Sequence, residues 1–194
     1  MQNDGLIGMI YYLKKNQQVA ILGGKLFNPD KTTQPSAGKF YSLPVVFSML
    51  FGGDRFGFFR KSPANITEVD WVSGGCMMIK KEIFNRLKGF DENFFMYIED
   101  MELCFRAKKA GNKVMFYPDL HIAHEGHKSS NRTFAIIHIY TGLLYFYKKH
   151  TNIIAYSILK LLLTTKACGA IILGSVARNE NLLTTYKKAL AFSL

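Results

Sequence analysis

From position 128 onward the sequence changes texture, and that change limits the fold more than any other feature. Three long apolar segments follow one another there, at 134–147, 153–163 and 167–177. Runs of this length outlast an ordinary strand, so two or three helices are expected. Of the 25 Lys and Arg, nine fall in residues 128–194 against a single acid, Glu180, so most of the formal +11 sits in the most apolar third. Such a segment suits a membrane surface, where basic side chains meet anionic head groups and apolar ones enter the acyl boundary. The stretch 153–177 has the length of a bilayer span, but Lys160 and Lys166 lie inside it and each would be costly at the bilayer centre. A monotopic or packed helical hairpin is therefore expected, and 133–194 reads as a basic, apolar, membrane-associating helical region.

The positive charge could also serve nucleic acid. Aromatic residues make up 14% of the chain, yet they cluster in apolar runs such as 56–59 instead of alternating with basic residues along a stacking surface. No nucleic-acid partner is expected. A hydrophobic fraction of 48% over 194 residues is ample for a packed core. The cysteines, Cys76, Cys104 and Cys168, are odd in number and lack CxxC spacing, which points away from a disulfide framework and toward a reducing compartment. Residues 1–8 lack the basic and apolar regions of a signal peptide. These features together predict the cytoplasmic face of the cell membrane, with peripheral or monotopic attachment.

Ahead of the apolar third the signals are short and mixed. Asn3 or Asp4 can cap a helix to about Lys15, and 19–22 reads as a buried strand closed by Gly23 and Gly24. Asn28, Pro29 and Asp30 make a turn. A helix is expected at 43–51, then a loop over 52–65. Strands follow at 69–73 and 76–79, separated by Gly74 and Gly75, where the backbone can turn tightly or approach a ligand. Helices at 80–87 and 98–110 stop at Gly89 and Gly111. Two further strands are predicted at 114–117 and 120–124.

Two clusters could carry chemistry. Glu99, Asp100 and Glu102 open a predicted helix directly after the aromatic run Phe94, Phe95, Met96, Tyr97. Acids there complement the helix dipole, and Glu102 is spaced to pair with Arg106 at i, i+4. Alternatively, a carboxylate at a helix start stays ionised and serves a cleft as general base. His121, His124 and His127 suggest a metal site, although on a strand His121 and His124 face opposite sides. A small membrane metal-binding protein built on these histidines is a further reading of that spacing.

Taken in order, Trp71-Val72-Ser73-Gly74-Gly75-Cys76-Met77-Met78-Ile79, Gly89-Phe90-Asp91-Glu92, Phe95 through Glu99-Asp100-Met101-Glu102-Leu103-Cys104 and Arg106, Ala110-Gly111, Tyr117-Pro118 and His124 resemble the second half of glycosyltransferase family 2 enzymes, particularly the bacterial rhamnosyltransferase-like group. The resemblance covers about residues 19–130 and rests on the ordered set. It implies an α/β, partial GT-A fold, a mixed sheet with flanking helices, followed here by C-terminal apolar helices. Residues 1–132 would be the acceptor-side half of that domain.

The resemblance also implies roles. Asp100 matches the general base that takes the acceptor hydroxyl proton in an inverting transfer, and Glu99 its neighbour and a ligand for acceptor hydroxyls. Gly74 and Gly75 match the segment lining the acceptor and donor-sugar pocket, with Trp71 as a wall. His124 matches a histidine that in some members helps hold a divalent metal, Mg or Mn, on the diphosphate, while Lys128, Ser129 and Arg132 lie where a loop meets phosphate oxygens. The implied partners are a nucleotide-sugar donor, rhamnose being the suggested sugar, a polysaccharide or lipid-linked saccharide acceptor, and the inner membrane surface; oligomeric state is not implied. Family members carry a preceding nucleotide-binding half ending in Asp-x-Asp, a motif absent from these 194 residues. The expectation is therefore a truncated enzyme, inactive by itself, with a catalytically inactive remnant or membrane-bound assembly partner as the alternative.

Overall fold

Nine consecutive residues, Val19–Phe27, form the strand β1 around which the first of two units is built. It is buried from Val19 through Gly24, as a central strand covered on both faces must be. The structure is a computed structural model that describes residues 3–53, 57, 59–125 and 131–193. This unit comprises Met1–Phe40, Asp54–Asp91 and Asp100–Gly126. Helix α1 (Asn3–Lys15) precedes β1 and turns Met9 and Leu13 into a core shared with Val19, Leu22, Leu26, Cys76 and Leu120. Burying each of these larger side chains contributes about 2 kcal/mol.

The main sheet is mixed. Strands β2 (Thr33–Gln34) and β7 (Met77–Ile79) pair antiparallel with β1, β8 (Lys113–Ala123) pairs with it in parallel, and β5 (Thr67–Glu68) closes the far side of β8 antiparallel. A smaller antiparallel sheet has the order β4 (Arg60–Lys61), β3 (Ala37–Gly38), β6 (Trp71–Val72). Gly23 lets β6 cross β1 closely, since a β-carbon there would overlap the Val72 side chain. Helices α3 (Lys81–Arg86) and α4 (Glu99–Lys109) complete the flanks. This is the mixed sheet with flanking helices of a partial GT-A fold.

The strand expected to close at Gly23 and Gly24 instead runs through both to Phe27, because β7 and β8 pair with it across Gly23. Two other strand boundaries differ, each for a local reason. The stretch 69–73 is split at a corner: Val69 donates its amide to Val114 O in the main sheet, whereas Asp70 donates to Gly38 O in the smaller one. Conversely, 114–117 and 120–124 join into β8. The register slips between Gly23↔Phe116 and Lys25↔His121, and this irregularity accommodates Pro118, which has no N–H to give the ladder.

The second unit, Tyr41–Gly53, Glu92–Glu99 and His127–Leu194, is helical. It contains α2 (Leu43–Leu50), α5 (Arg132–His150), α6 (Ile153–Val176) and α7 (Glu180–Ser193). Asn131, Asn152 and Asn179 precede the last three helices, and each side-chain oxygen accepts the amide hydrogen three residues on, from Phe134, Ala155 and Leu182. Helix α6 joins the apolar segments 153–163 and 167–177, so the three segments form two helices, within the two or three expected. Thr164 Oγ1 bonds to Ser193, and the Lys166 ammonium lies 5.7 Å from the Phe51 ring centre, so the polar interruption is accommodated inside the unit. Its buried stripe is Leu159, Leu163, Ala167, Ala170 and Gly174. Helix α7, unforeseen in the sequence, buries Thr185, Tyr186, Ala189 and Ser193, a stripe too small and polar to register as hydrophobic.

Candidate active site

Two glycines and two distant side chains meet at a single turn of 3-10 helix, Gly74–Cys76. Ser73 starts it, its Oγ accepting from the Gly75 amide at 3.3 Å, and its own amide donates to Ser36 O at 2.8 Å. Both glycines are exposed. Asp100, in the first turn of α4, approaches Gly74: its Oδ2 accepts from the Gly74 amide at 2.9 Å, and its Oδ1 accepts from the Met101 amide at 2.7 Å. Burial raises the Asp100 pKa above the ordinary carboxylate value, with the amides of Gly74 and Met101 and the charge of Arg60 opposing. Such a group is a stronger base than a surface aspartate once it is ionised.

His124 stands at the other glycine. A β-carbon on Gly75 would lie 3.1 Å from Leu26 Cδ1 and about 3.4–3.5 Å from the Cδ2 and Nε2 edge of His124. The opposite ring nitrogen, Nδ1, is 2.8 Å from Gln34 Oε1. Gln34 in turn donates from its amide nitrogen to Asn28 Oδ1 at 3.0 Å, Asn28 donates to Thr32 Oγ1 at 2.9 Å, and the Thr32 hydroxyl bonds to Asp30. Since Gln34 presents its carbonyl oxygen to the ring, the proton belongs on Nδ1, which leaves the Nε2 lone pair on the side of Gly75. Gln34 and this relay were invisible in the sequence, where only the turn at Asn28–Asp30 was legible.

The other predicted site residues are placed as follows. Glu99 opens α4 and is partly buried. Trp71 is buried in β6, its indole against Gly38 and its Nε1 donating to Lys39 O at 2.9 Å. Arg132 begins α5, and its side chain is exposed. Lys128 and Ser129, with His127, lie outside the described residues. Among the described residues no three His, Cys, Asp or Glu side chains converge on a point fit for a metal ion. His121 instead packs edge-on to the Phe27 ring, centroids 5.6 Å apart. His124 could therefore supply a metal with a single ligand, which does not make a site by itself. Burial pushes the thiols of Cys76 and Cys104 up, so neither offers a thiolate nucleophile near neutral pH.

Glu102 is different from Asp100 in kind. It is fully buried and accepts from Arg106 Nε at 2.8 Å, the i, i+4 pair expected from spacing. The same guanidinium donates to Leu87 O at 2.5 Å and Gly89 O at 2.8 Å, fastening the end of α3 to α4.

The family described as glycosyl transferase family group 2 matches residues 7–170, which include the glycine pair and the helix-start carboxylate; the chain belongs to that family. Among its relatives is the rhamnosyltransferase WbbL of Escherichia coli (strain K12), 31% identical over 137 residues, which cover 69% of this chain and 51% of that protein. Another is the N-acetylglucosaminyl-diphospho-decaprenol L-rhamnosyltransferase of Mycobacterium tuberculosis, 38% identical over 64 residues, 33% of this chain and 21% of that protein. The chain thus spans about half the length of the first relative and a fifth of the second.

Proposed function

We propose that this chain carries the acceptor-side chemistry of an inverting glycosyltransferase that moves a sugar, rhamnose by analogy with the relatives, from a nucleotide-sugar donor to a polysaccharide or lipid-linked saccharide. The observation that carries the reading is the Asp100 carboxylate, held by two amides against an exposed glycine turn. In the reaction the acceptor hydroxyl oxygen attacks the anomeric carbon and Asp100 removes its proton. The bond from that carbon to the diphosphate oxygen breaks on the opposite face, so configuration inverts. Gly74 and Gly75 leave the approach open; a β-carbon at Gly74 would stand 3.6–3.8 Å from the Asp100 side chain, at the edge the acceptor must reach. His124, oriented by Gln34, faces the same turn with its free lone pair. A divalent metal, Mg or Mn, would neutralise charge on the leaving diphosphate when bound, and His124 Nε2 is the atom of this chain suited to ligate it.

The test is Asp100→Asn in the full-length enzyme. Transfer should fall about 10²–10⁴-fold, the ordinary contribution of a general base. Normal turnover in that variant would sink the assignment.

The same proposal assigns the helical unit to the inner membrane surface. Helix α6 is long and apolar enough to cross a bilayer, yet it also turns Ile154, Leu161, Ile172, Leu173 and Val176 outward as an apolar face within a basic region. A helix lying in the interface is the favoured arrangement. Flotation with anionic vesicles should carry the protein upward, and the pair Leu161→Asp and Ile172→Asp should abolish it; unchanged flotation would argue against this face.

A further inference from the structure

The aromatic run ahead of α4 belongs to the helical unit, and the packing of that unit does not consume all of it. Phe94 is buried, its ring edge-on to Tyr145 of α5 with centroids 4.9 Å apart. Ile98 is buried as well, against Gly142 of the same helix. Between these two anchors Phe95 turns outward, and at 73% exposure it is the most exposed Phe, Tyr or Trp among the described residues. Leaving such a ring in water forgoes about 2 kcal/mol of burial. Yet the ring is held in place. It rests on two rings of α5 one turn apart, with centroids 6.2 Å from Phe134 and 5.2 Å from His138, and those two are 4.2 Å from each other. An aromatic face is therefore oriented before any ligand arrives, which lowers the entropy a ligand must overcome.

The chemistry of the cluster selects its ligand. Its three side chains hold no carboxylate, guanidinium or ammonium, so nothing in it calls for a charged group. Neither ring nitrogen of His138 hydrogen-bonds another described residue, although an imidazole brings polar nitrogens to the edge of the Phe95 ring. An acyl chain would cover Phe95 and leave those nitrogens unsatisfied. A pyranose meets both demands: one face of its ring is a set of C–H groups that packs on an aromatic face, and its rim is hydroxyls that donate and accept. We propose that Phe95, Phe134 and His138 form a saccharide subsite, in which Phe95 stacks under one pyranose ring, His138 bonds to its hydroxyls and Phe134 holds both rings in place. That the saccharide is the acceptor rests on the proposed function; Phe95 precedes Asp100 by five residues in the sequence.

Saturation-transfer NMR of the purified chain with the methyl glycosides of glucose, N-acetylglucosamine, galactose and rhamnose tests this. At least one should bind saturably and receive saturation preferentially on the C–H protons of a single ring face. Phe95→Ala should weaken that binding about fivefold to tenfold, and Phe95→Trp should preserve it. His138→Phe, which keeps a ring and removes both nitrogens, should weaken it about threefold to tenfold. Unchanged thermal melting of the variants keeps a folding defect from imitating these results. No saturation transfer to any of the four sugars, or Phe95→Ala binding like the parent, overturns the subsite. So does a Phe95→Ala variant that binds sugar normally but floats less with vesicles, which would make the cluster a membrane contact. In the full-length enzyme Phe95→Ala should raise the acceptor KM more than it lowers kcat. Asp100→Asn should bind the sugar as the parent does, so failure of the subsite and failure of the transfer reading are measured separately.

Discussion

Asp100 and Glu102 lie two residues apart on α4 and belong to different worlds. Asp100 is held by neutral amides beside an exposed glycine turn, whereas Glu102 is sealed from solvent against a guanidinium that also holds two backbone carbonyls. In the first, burial raises the carboxyl pKa against the opposing amides, and an oxygen edge is left near the glycine turn; the second consumes the carboxylate in a clasp. On the proposed function, catalysis and stability are thus divided between neighbouring acids of one helical turn.

The largest effect should come from cutting the clasp. Arg106→Ala leaves Glu102 buried without its charge partner and frees the carbonyls of Leu87 and Gly89, so chemical denaturation should show a loss of about 3–5 kcal/mol. Asp100→Asn should leave the same unfolding curve unchanged or shifted toward higher stability. If Asp100→Asn proved the more destabilising of the two, the division between them would be wrong.

A smaller effect is expected behind Asp100. Tyr97 and Ile98, immediately before α4, have φ of 65° and 70°, a conformation strained for a β-branched residue and sustained only by tight surroundings. Gly142 of α5 supplies them: a β-carbon there would lie 2.9 Å from Ile98 Cγ1. Gly142→Val should cost about 1–3 kcal/mol of stability, the usual range for overpacking, and should depress transfer more than an equally destabilising change elsewhere. Matching transfer losses in such a pair of variants would show that the turn does not position Asp100.

How much of this was legible in the sequence follows from how local each cause is. The Glu102–Arg106 pair, the buried β1, and helices α1 and α4 arise from spacing within one element, and all were expected. Helix α7 was missed because its buried face is Thr185, Tyr186, Ala189 and Ser193, which only packing against close neighbours makes apolar in effect. The meeting of Asp100 with Gly74 came from family resemblance and depends on contacts 26 residues apart. The orientation of His124 by Gln34 spans 90 residues, and nothing in the local pattern of either announces it.

That long-range contact gives a milder test. Gln34→Ala removes the acceptor that fixes the His124 proton on Nδ1 and lets the ring choose either tautomer. Transfer should drop about tenfold, the scale found for partners that orient a functional histidine, with the unfolding free energy nearly unchanged. Gln34→Glu, which preserves the acceptor, should recover most of the rate; equal losses in both variants would mean that the contact serves only the β1–β2 turn.

The smallest effect concerns pH and separates the two acids once more. A carboxyl whose pKa is raised by folding holds its proton in the native state over a window where the unfolded chain has released it. Its contribution to stability is therefore fully present below the unfolded value, about 3.9, and is lost as pH rises through the raised native value. Asp100 predicts that the parent protein loses stability relative to Asp100→Asn across that window, with the difference constant above it. Transfer should follow the opposite course, rising through the same window as the base ionises. Denaturation and rate profiles that share one midpoint would tie both to a single carboxylate, while midpoints more than about a unit apart would assign the rate to another group.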